Sequence, residues 1–253
     1  MSRVHTHLLN VHGHTIVHRL PSQVKLLAMF GFVLAVVFTP ARQVWAFGVF
    51  GLLMAGVLAL SEVPFGFFVK RLGVEIPFVL FAFFLPFVGG GKRVELWGAT
   101  MSIEGLWAAW NILAKATLGV SASVLVISTT EISHILHGLG RLRFPRVIVS
   151  IAGFMMRYLD VIAGEMSRMR IAMVARGYSP RWMGEIRGLG MAGGALFSRS
   201  YERGERVYQA MSARGYAGVM PAPLTSSPSA LDWSMGMAIP VSAWIVTITA
   251  VLS

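Results

Sequence analysis

Met173-Val-Ala-Arg-Gly-Tyr178 recurs almost unchanged as Met211-Ser-Ala-Arg-Gly-Tyr216, and the rest of the chain is organised around this pair. The copies lie 38 residues apart and differ only at Val174 and Ser212. Arg168 and Arg206 fall in the same register, each eight residues before the motif arginine. Helical periodicity runs into both copies. Ile162, Met166, Met169 and Met173 follow the i, i+4, i+7, i+11 spacing of one helical face. Tyr201, Gly204, Tyr208 and Met211 mark a comparable face in the second stretch, and Glu202 stands four residues before Arg206, placed for a supporting ion pair.

One such motif reads as a helix stop. Gly just past a helix takes the left-handed conformation that ends it, and a cation in the last turn suits the helix dipole. Capping alone asks for neither Ala before the Arg nor Tyr after the Gly, yet both recur. The repeat therefore predicts two helix ends that each present a guanidinium to a similar partner. The planar fork of Arg suits that task, because it binds a carboxylate through two parallel hydrogen bonds.

Composition sets the environment. The 253 residues have a mean hydropathy of +0.67. Hydrophobic residues make up 55% and charged residues only 13%, where a soluble domain carries about 25% charge. This is the composition of a membrane protein. The net charge of +11 is unevenly spread: thirteen of the 18 arginines lie between Arg141 and Arg214, against five acids. Basic residues collect on the cytoplasmic side of membrane proteins, so the cluster marks an inside face, part of which can rest on anionic headgroups. No nucleic-acid-binding module accompanies the charge, so no nucleic-acid partner is expected. The absence of cysteine excludes disulfides and thiolate metal sites. Met1 to Arg19 is polar and lacks the leading apolar run of a cleavable signal, so the first span is expected to direct insertion.

His5, His7, His12, His14 and His18 crowd the N-terminus. The His-x-His pairs could take a divalent metal, but no carboxylate or thiolate stands by to complete a shell, which favours a solvated tail. Ser22 is a candidate N-cap, and Lys25 is placed to snorkel toward headgroups. Four spans are expected at Leu26–Thr39, Val44–Leu60, Leu72–Val88 and Leu106–Thr129, with a tight turn at Pro40-Ala-Arg42 and an outside loop over residues 92–105. The first two runs are short of the ~20 residues that cross hydrocarbon. Pro77 and Pro86 suggest a kinked third span packed against protein. Glu75 and Lys115 are charges within or near spans, which could mean ion conduction or a structural role. Without a chain of carboxylates or histidines, the structural role is preferred. From Thr130 to Asp232 the chain is charged and expected to be cytoplasmic. Val147–Ala163, interrupted by Arg157 and Asp160, reads as a helix at the inner membrane surface that feeds the first motif. Pro221–Ser229 is a linker, and Ser234–Leu252 is a fifth span.

Catalytic signatures are missing. There is no phosphate-binding Gly-x-x-x-x-Gly-Lys-[Ser/Thr], since Gly89-Gly-Gly-Lys92 lacks both spacing and hydroxyl. Neither His-Glu-x-x-His nor Gly-x-Ser-x-Gly occurs, and Asp is used only at Asp160 and Asp232. No catalytic or metal constellation can be named.

The paired Ala-Arg-Gly ends, preceded by four spans and followed by one, resemble the T component of energy-coupling-factor (ECF) importers. Leu85-Pro-Phe-Val-Gly-Gly90, Tyr201-Glu-Arg-Gly-Glu-Arg206 and the His-rich start are similar to the cobalt-type, CbiQ-like branch. The resemblance implies an all-α polytopic protein of a prokaryotic cell membrane, with about five transmembrane helices and a cytoplasmic helical coupling segment. Its parts would be 1–129, a tail and four-span bundle; 130–232, the coupling helices; and 233–253, a final transmembrane helix. It implies partners as well: two ATPase subunits, a substrate-binding membrane subunit and the bilayer. ATP would be used by the partners, and this chain would bind no cofactor and hydrolyse nothing. Ala175, Arg176, Gly177, Ala213, Arg214 and Gly215 are by resemblance the ATPase-coupling residues. Cobalt is the cargo the branch implies; nickel or a vitamin would fit the family too, and a membrane scaffold without transport is the reading from another class.

Overall fold

The computed structural model describes residues 15–90, 92–96, 99–178, 187–216, 218 and 228–253. His5, His7, His12 and His14, Ser179-Pro180 just after the first motif, and most of the 221–229 linker lie outside them. The elements in order are α1 (Ile16–Arg19), α2 (Ser22–Phe38), α3 (Val44–Ser61), α4 (Phe65–Leu72), a 3-10 turn (Gly73–Glu75), α5 (Ile76–Val88), β1 (Arg93–Leu96), β2 (Ala99–Ser102), α6 (Ile103–Thr129), α7 (Ile132–Arg141), α8 (Arg146–Ala175), α9 (Arg187–Ser212) and α10 (Ala230–Leu252). They divide into two compact units, one holding α1–α7 with α10, the other holding α8 and α9.

Among the described residues five helices are, by length and composition, able to cross a membrane: Val44–Ser61, Phe65–Val88, Ile103–Thr129, Arg146–Ala175 and Ala230–Leu252. The number agrees with the sequence reading, but the membership does not. The first expected span is an apolar helix of 17 residues, short of the ~20 that reach across hydrocarbon. Val147–Ala163, for its part, is no separate element; it is the first half of a single 30-residue helix that runs unbroken into the first motif.

The first unit is built on α2, which packs against α10, α6 and α7. Phe32, Ala35 and Val36 of α2 are buried with Phe47 and Phe50 of α3 and with Leu118, Ala122 and Leu125 of α6. Apolar helices gain little from hydrophobicity against lipid, so close approach and polar contacts hold them together. Gly31 supplies the approach, since a Cβ there would stand 3.0 Å from the Pro240 ring. Thr247 supplies the polar contact, its hydroxyl 3.0 Å from the Ala35 carbonyl and 3.2 Å from the Thr39 hydroxyl.

Two lysines join α2 and α6 reciprocally. Lys25, expected to snorkel, is instead buried, and donates to the Thr129 carbonyl and the Thr130 hydroxyl, each at 3.0 Å, and to the His18 carbonyl at 3.3 Å. Lys115 of α6 donates to the Val37 carbonyl at 2.8 Å. Each ammonium therefore meets the carbonyl end of the other helix, where free acceptors and the negative end of the dipole lie. Glu75 is buried and accepts a hydrogen bond from Thr117 of α6 at 2.5 Å. Both charges thus serve helix packing, as the sequence reading preferred. Lys25→Met keeps the stem and removes the donor, at a cost of about 1–3 kcal/mol for the stranded acceptors. A melting temperature several degrees lower in detergent is the expected result, against little change for Lys70→Met, whose side chain is exposed.

Other expectations need correction. Pro21, not Ser22, occupies the N-cap of α2. The chain between the second and third expected spans is mostly helical: only Glu62–Pro64 separates α3 from α4, which already starts at Phe65. Pro77 sits in the first turn of α5, where its missing N–H costs nothing; only Pro86 lies inside the helix. The third span does pack against protein, along α6, but only on one side. Of α5 only Ala82 and Pro86 are buried, and Phe81, Phe83 and Phe84 point away from the unit. The segment expected as an outside loop holds a hairpin, with Arg93 opposite Ser102 and Leu96 opposite Ala99. Ser102 then caps α6 by accepting from the Gly105 N–H at 3.1 Å.

Candidate docking site at two arginine-tipped helix ends

The repeated hexapeptides form the same structure twice. At the end of α8 the Gly177 N–H donates to the Val174 carbonyl at 2.9 Å, and the Tyr178 N–H reaches back to the Met173 carbonyl at 3.0 Å. At the end of α9 the Gly215 N–H donates to Ser212 at 3.0 Å and the Tyr216 N–H to Met211 at 3.0 Å. Gly177 and Gly215 both have φ +82°, the left-handed region that a residue with a Cβ enters only at a cost. This paired pattern is the Schellman motif, with Gly one position past the cap and Tyr at the next.

The geometry refines what the sequence suggested. A Schellman end commonly carries an apolar contact between the residue after the Gly and the third residue before the cap. Those positions are Tyr178 with Met173 and Tyr216 with Met211. Capping therefore accounts for Met, Gly and Tyr, more than the sequence reading allowed. It leaves Ala and Arg. Ala175, Arg176, Ala213 and Arg214 are all exposed. Among the described residues neither Arg176 nor Arg214 has a hydrogen-bond or ion-pair partner. Each helix thus ends in a rigidly capped turn that holds out a free guanidinium beside a small side chain.

Glu165 fixes how the two helices meet. It lies on α8 with its side chain only 12% exposed, 3.4 Å from Arg199 and 3.1 Å from Arg203 of α9. Glu165 stands eleven residues before Arg176, just as Arg203 does before Arg214. At about 1.5 Å per residue the two arms are each roughly 16 Å long. On the other side of the clasp, Phe154, Tyr158 and Ile162 of α8 and Val207, Tyr208 and Met211 of α9 line a cavity of about 320 Å³. The N-terminal half of α8 therefore meets the C-terminal half of α9, so the helices run antiparallel and their tips lie at opposite ends of the pair.

Sequence periodicity found the α8 face: Ile162, Met166, Met169 and Met173 are half-buried. It misplaced the α9 face. Tyr201, Gly204 and Tyr208 are exposed, whereas Ala192, Leu196, Ser200, Arg203, Val207 and Met211 are the covered stripe. A search by apolar residues skips Arg203, because a cation reads as solvent-facing until its buried carboxylate is known. The Glu202–Arg206 pair is present at 3.9 Å with both side chains about two-thirds exposed, a contact worth only a few tenths of a kcal/mol. Glu165→Ala leaves two arginines one turn apart without their anion. With Arg199 largely solvated, the expected cost is about 1–3 kcal/mol. Hydrogen exchange should quicken along α8 and α9 while α2 and α6 keep their protection.

The fold and this paired helix unit define a multi-pass helical membrane protein with twin arginine-tipped ends. The family model for CbiQ, described as a cobalt transport protein, matches residues 13–224. The chain belongs to that family, the T components of ECF transporters. It is similar to the energy-coupling factor transporter transmembrane protein EcfT of Bacillus selenitireducens, 32% identical over 82% of each chain. To the EcfT of Bacillus subtilis it is 29% identical, over 82% of this chain and 83% of the relative. A putative fused cobalt transport protein CbiMQ of Methanocorpusculum labreanum is 26% identical over 56% of this chain and 25% of its own length.

Proposed function

We propose that this chain is the coupling subunit of an ATP-driven importer of the ECF type. The Arg176 and Arg214 tips dock, from the cytoplasm, one into each of two ATPase subunits. ATP-driven closure of those subunits moves α8 and α9, and the motion passes to a substrate-binding membrane subunit. Cobalt is the cargo we favour, on the family description and the fused cobalt-transport relative; other EcfT relatives carry names without a cargo. Catalysis and cargo recognition belong to the partners.

The observation that carries the reading is the pair of matching Schellman ends, each with an exposed arginine that has no partner among the described residues. A terminus that only needed stopping would not require the same free cation at both ends. A guanidinium entering a desolvated groove makes a charge-assisted, directional joint with a carboxylate. Purifying the tagged chain from its native membranes tests the assignment. The expected eluate contains two ATPase copies and one further membrane subunit, and metal analysis of the complex names the cargo. A chain that purifies alone, or moves cargo in vesicles without ATP, contradicts it.

A further inference from the structure

The two tips share the same pair of Schellman hydrogen bonds but differ in what lies beside them. At the first tip the Tyr178 ring rests on the bare backbone of Gly188 in the opening turn of α9. A Cβ added to Gly188 would meet the ring at 2.6 Å from Cε2 and 2.8 Å from Cζ. Both distances are well inside van der Waals contact, so only glycine permits the ring to sit there. Tyr178 is half-buried while Arg176 and Gly177 beside it are exposed. Among the described residues the other tip has no counterpart on its neighbour helix: of the α8 glycines, Gly153 faces open space and Gly164 meets only Arg168.

We propose that Tyr178 is a positioning residue for the first tip: its ring, seated on Gly188, clamps the end of α8 to the start of α9 and so fixes the direction in which Arg176 projects. This rests on the docking reading above and adds an asymmetry to it. The first tip is braced against its neighbour helix, so Arg176 and α9 move together. Tyr216 is half-buried too, but among the described residues no glycine seats its ring.

The chain has no cysteine, so engineered cysteines label it uniquely. Spin labels at Val174→Cys and Gln209→Cys, in the full chain in nanodiscs, report the α8 end against α9. Gly188→Ala is the informative change, because Ala is the better helix former by up to about 1 kcal/mol and harm from it must come from the ring. Gly188→Ala and Tyr178→Ala should each broaden the distance distribution, and combining them should broaden it no further than Tyr178→Ala alone. In an Arg214→Ala background, where docking depends on the first tip, Gly188→Ala should weaken ATPase binding by about tenfold, the scale of coupling between residues in contact. In an Arg176→Ala background it should change nothing. Equal weakening in both backgrounds, or an unchanged distribution with Gly188→Ala, overturns the proposal. If neither arginine substitution weakens binding, the docking reading is what fails. The distance distributions need no ATPase, and they then decide the brace alone.

Discussion

A chain carrying Arg176→Glu and Arg214→Glu together is expected to lose the proposed ATPase partners on purification and to support no uptake. Each arginine is exposed and unpartnered among the described residues, so its reversal removes no contact that holds the fold. The damage falls on the joint. Truncating one member of a buried, hydrogen-bonded charge pair costs about 2–5 kcal/mol, and reversal adds repulsion. Two joints in one complex also reinforce each other, since the second docks at a raised effective concentration once the first has formed. A single reversal should therefore weaken the complex and leave part of it, while the double reversal should dissociate it. The measurement is ATPase retained per chain after affinity purification, alongside cargo uptake in cells. Full retention and uptake in the double variant would mean that the tips are not the handles.

Gly177→Val with Gly215→Val is the second large effect expected. At φ +82° a β-branched residue is strained by about 1–2 kcal/mol or more. The chain escapes that strain by unwinding the last turn. The two Schellman hydrogen bonds at each end are then lost, and Arg176 and Arg214 no longer point in one direction. Asn tolerates the left-handed region, so Gly177→Asn with Gly215→Asn should be milder. Gly190→Ala is the control, because a Cβ there meets nothing within 4 Å and its backbone is helical. ATPase affinity should fall steeply for Val, partly for Asn and not for Ala. Exchange at the Tyr178 and Tyr216 amides should quicken in the same order.

The hexapeptide repeat was legible because both local rules it obeys are written in adjacent residues. Gly after a helix and Arg at its cap are short-range signals, and both are found where expected; the apolar face leading in is found on α8 but not on α9. The long apolar runs were legible for a similar reason, since a helix surrounded by lipid shows little amphipathic pattern and simply stays apolar. What stayed hidden was tertiary. Lys25 reads as an interfacial cation until the ends of α1 and α6 are known to converge on it. Glu165 and Arg203 read as surface charges until α8 and α9 lie side by side. The role of Gly188 is invisible in sequence, because nothing there says that a tyrosine ten residues earlier folds back onto it. The hairpin of β1 and β2 was missed because its strands are only four residues long, too short for alternation to show.

Site-directed cross-linking is the most direct measurement of the central claim. Single cysteines replacing Ala175 and Ala213, each next to a tip arginine, are placed in a chain that otherwise has none. A short photoactivatable cross-linker is attached in membranes that contain the assembled complex. The account predicts that both positions cross-link to ATPase subunits, that a chain carrying both captures two copies, and that a reagent confined to the cytoplasmic side labels both in the free chain. Labelling from the opposite side only, or cross-links that stay within the chain itself, would contradict it.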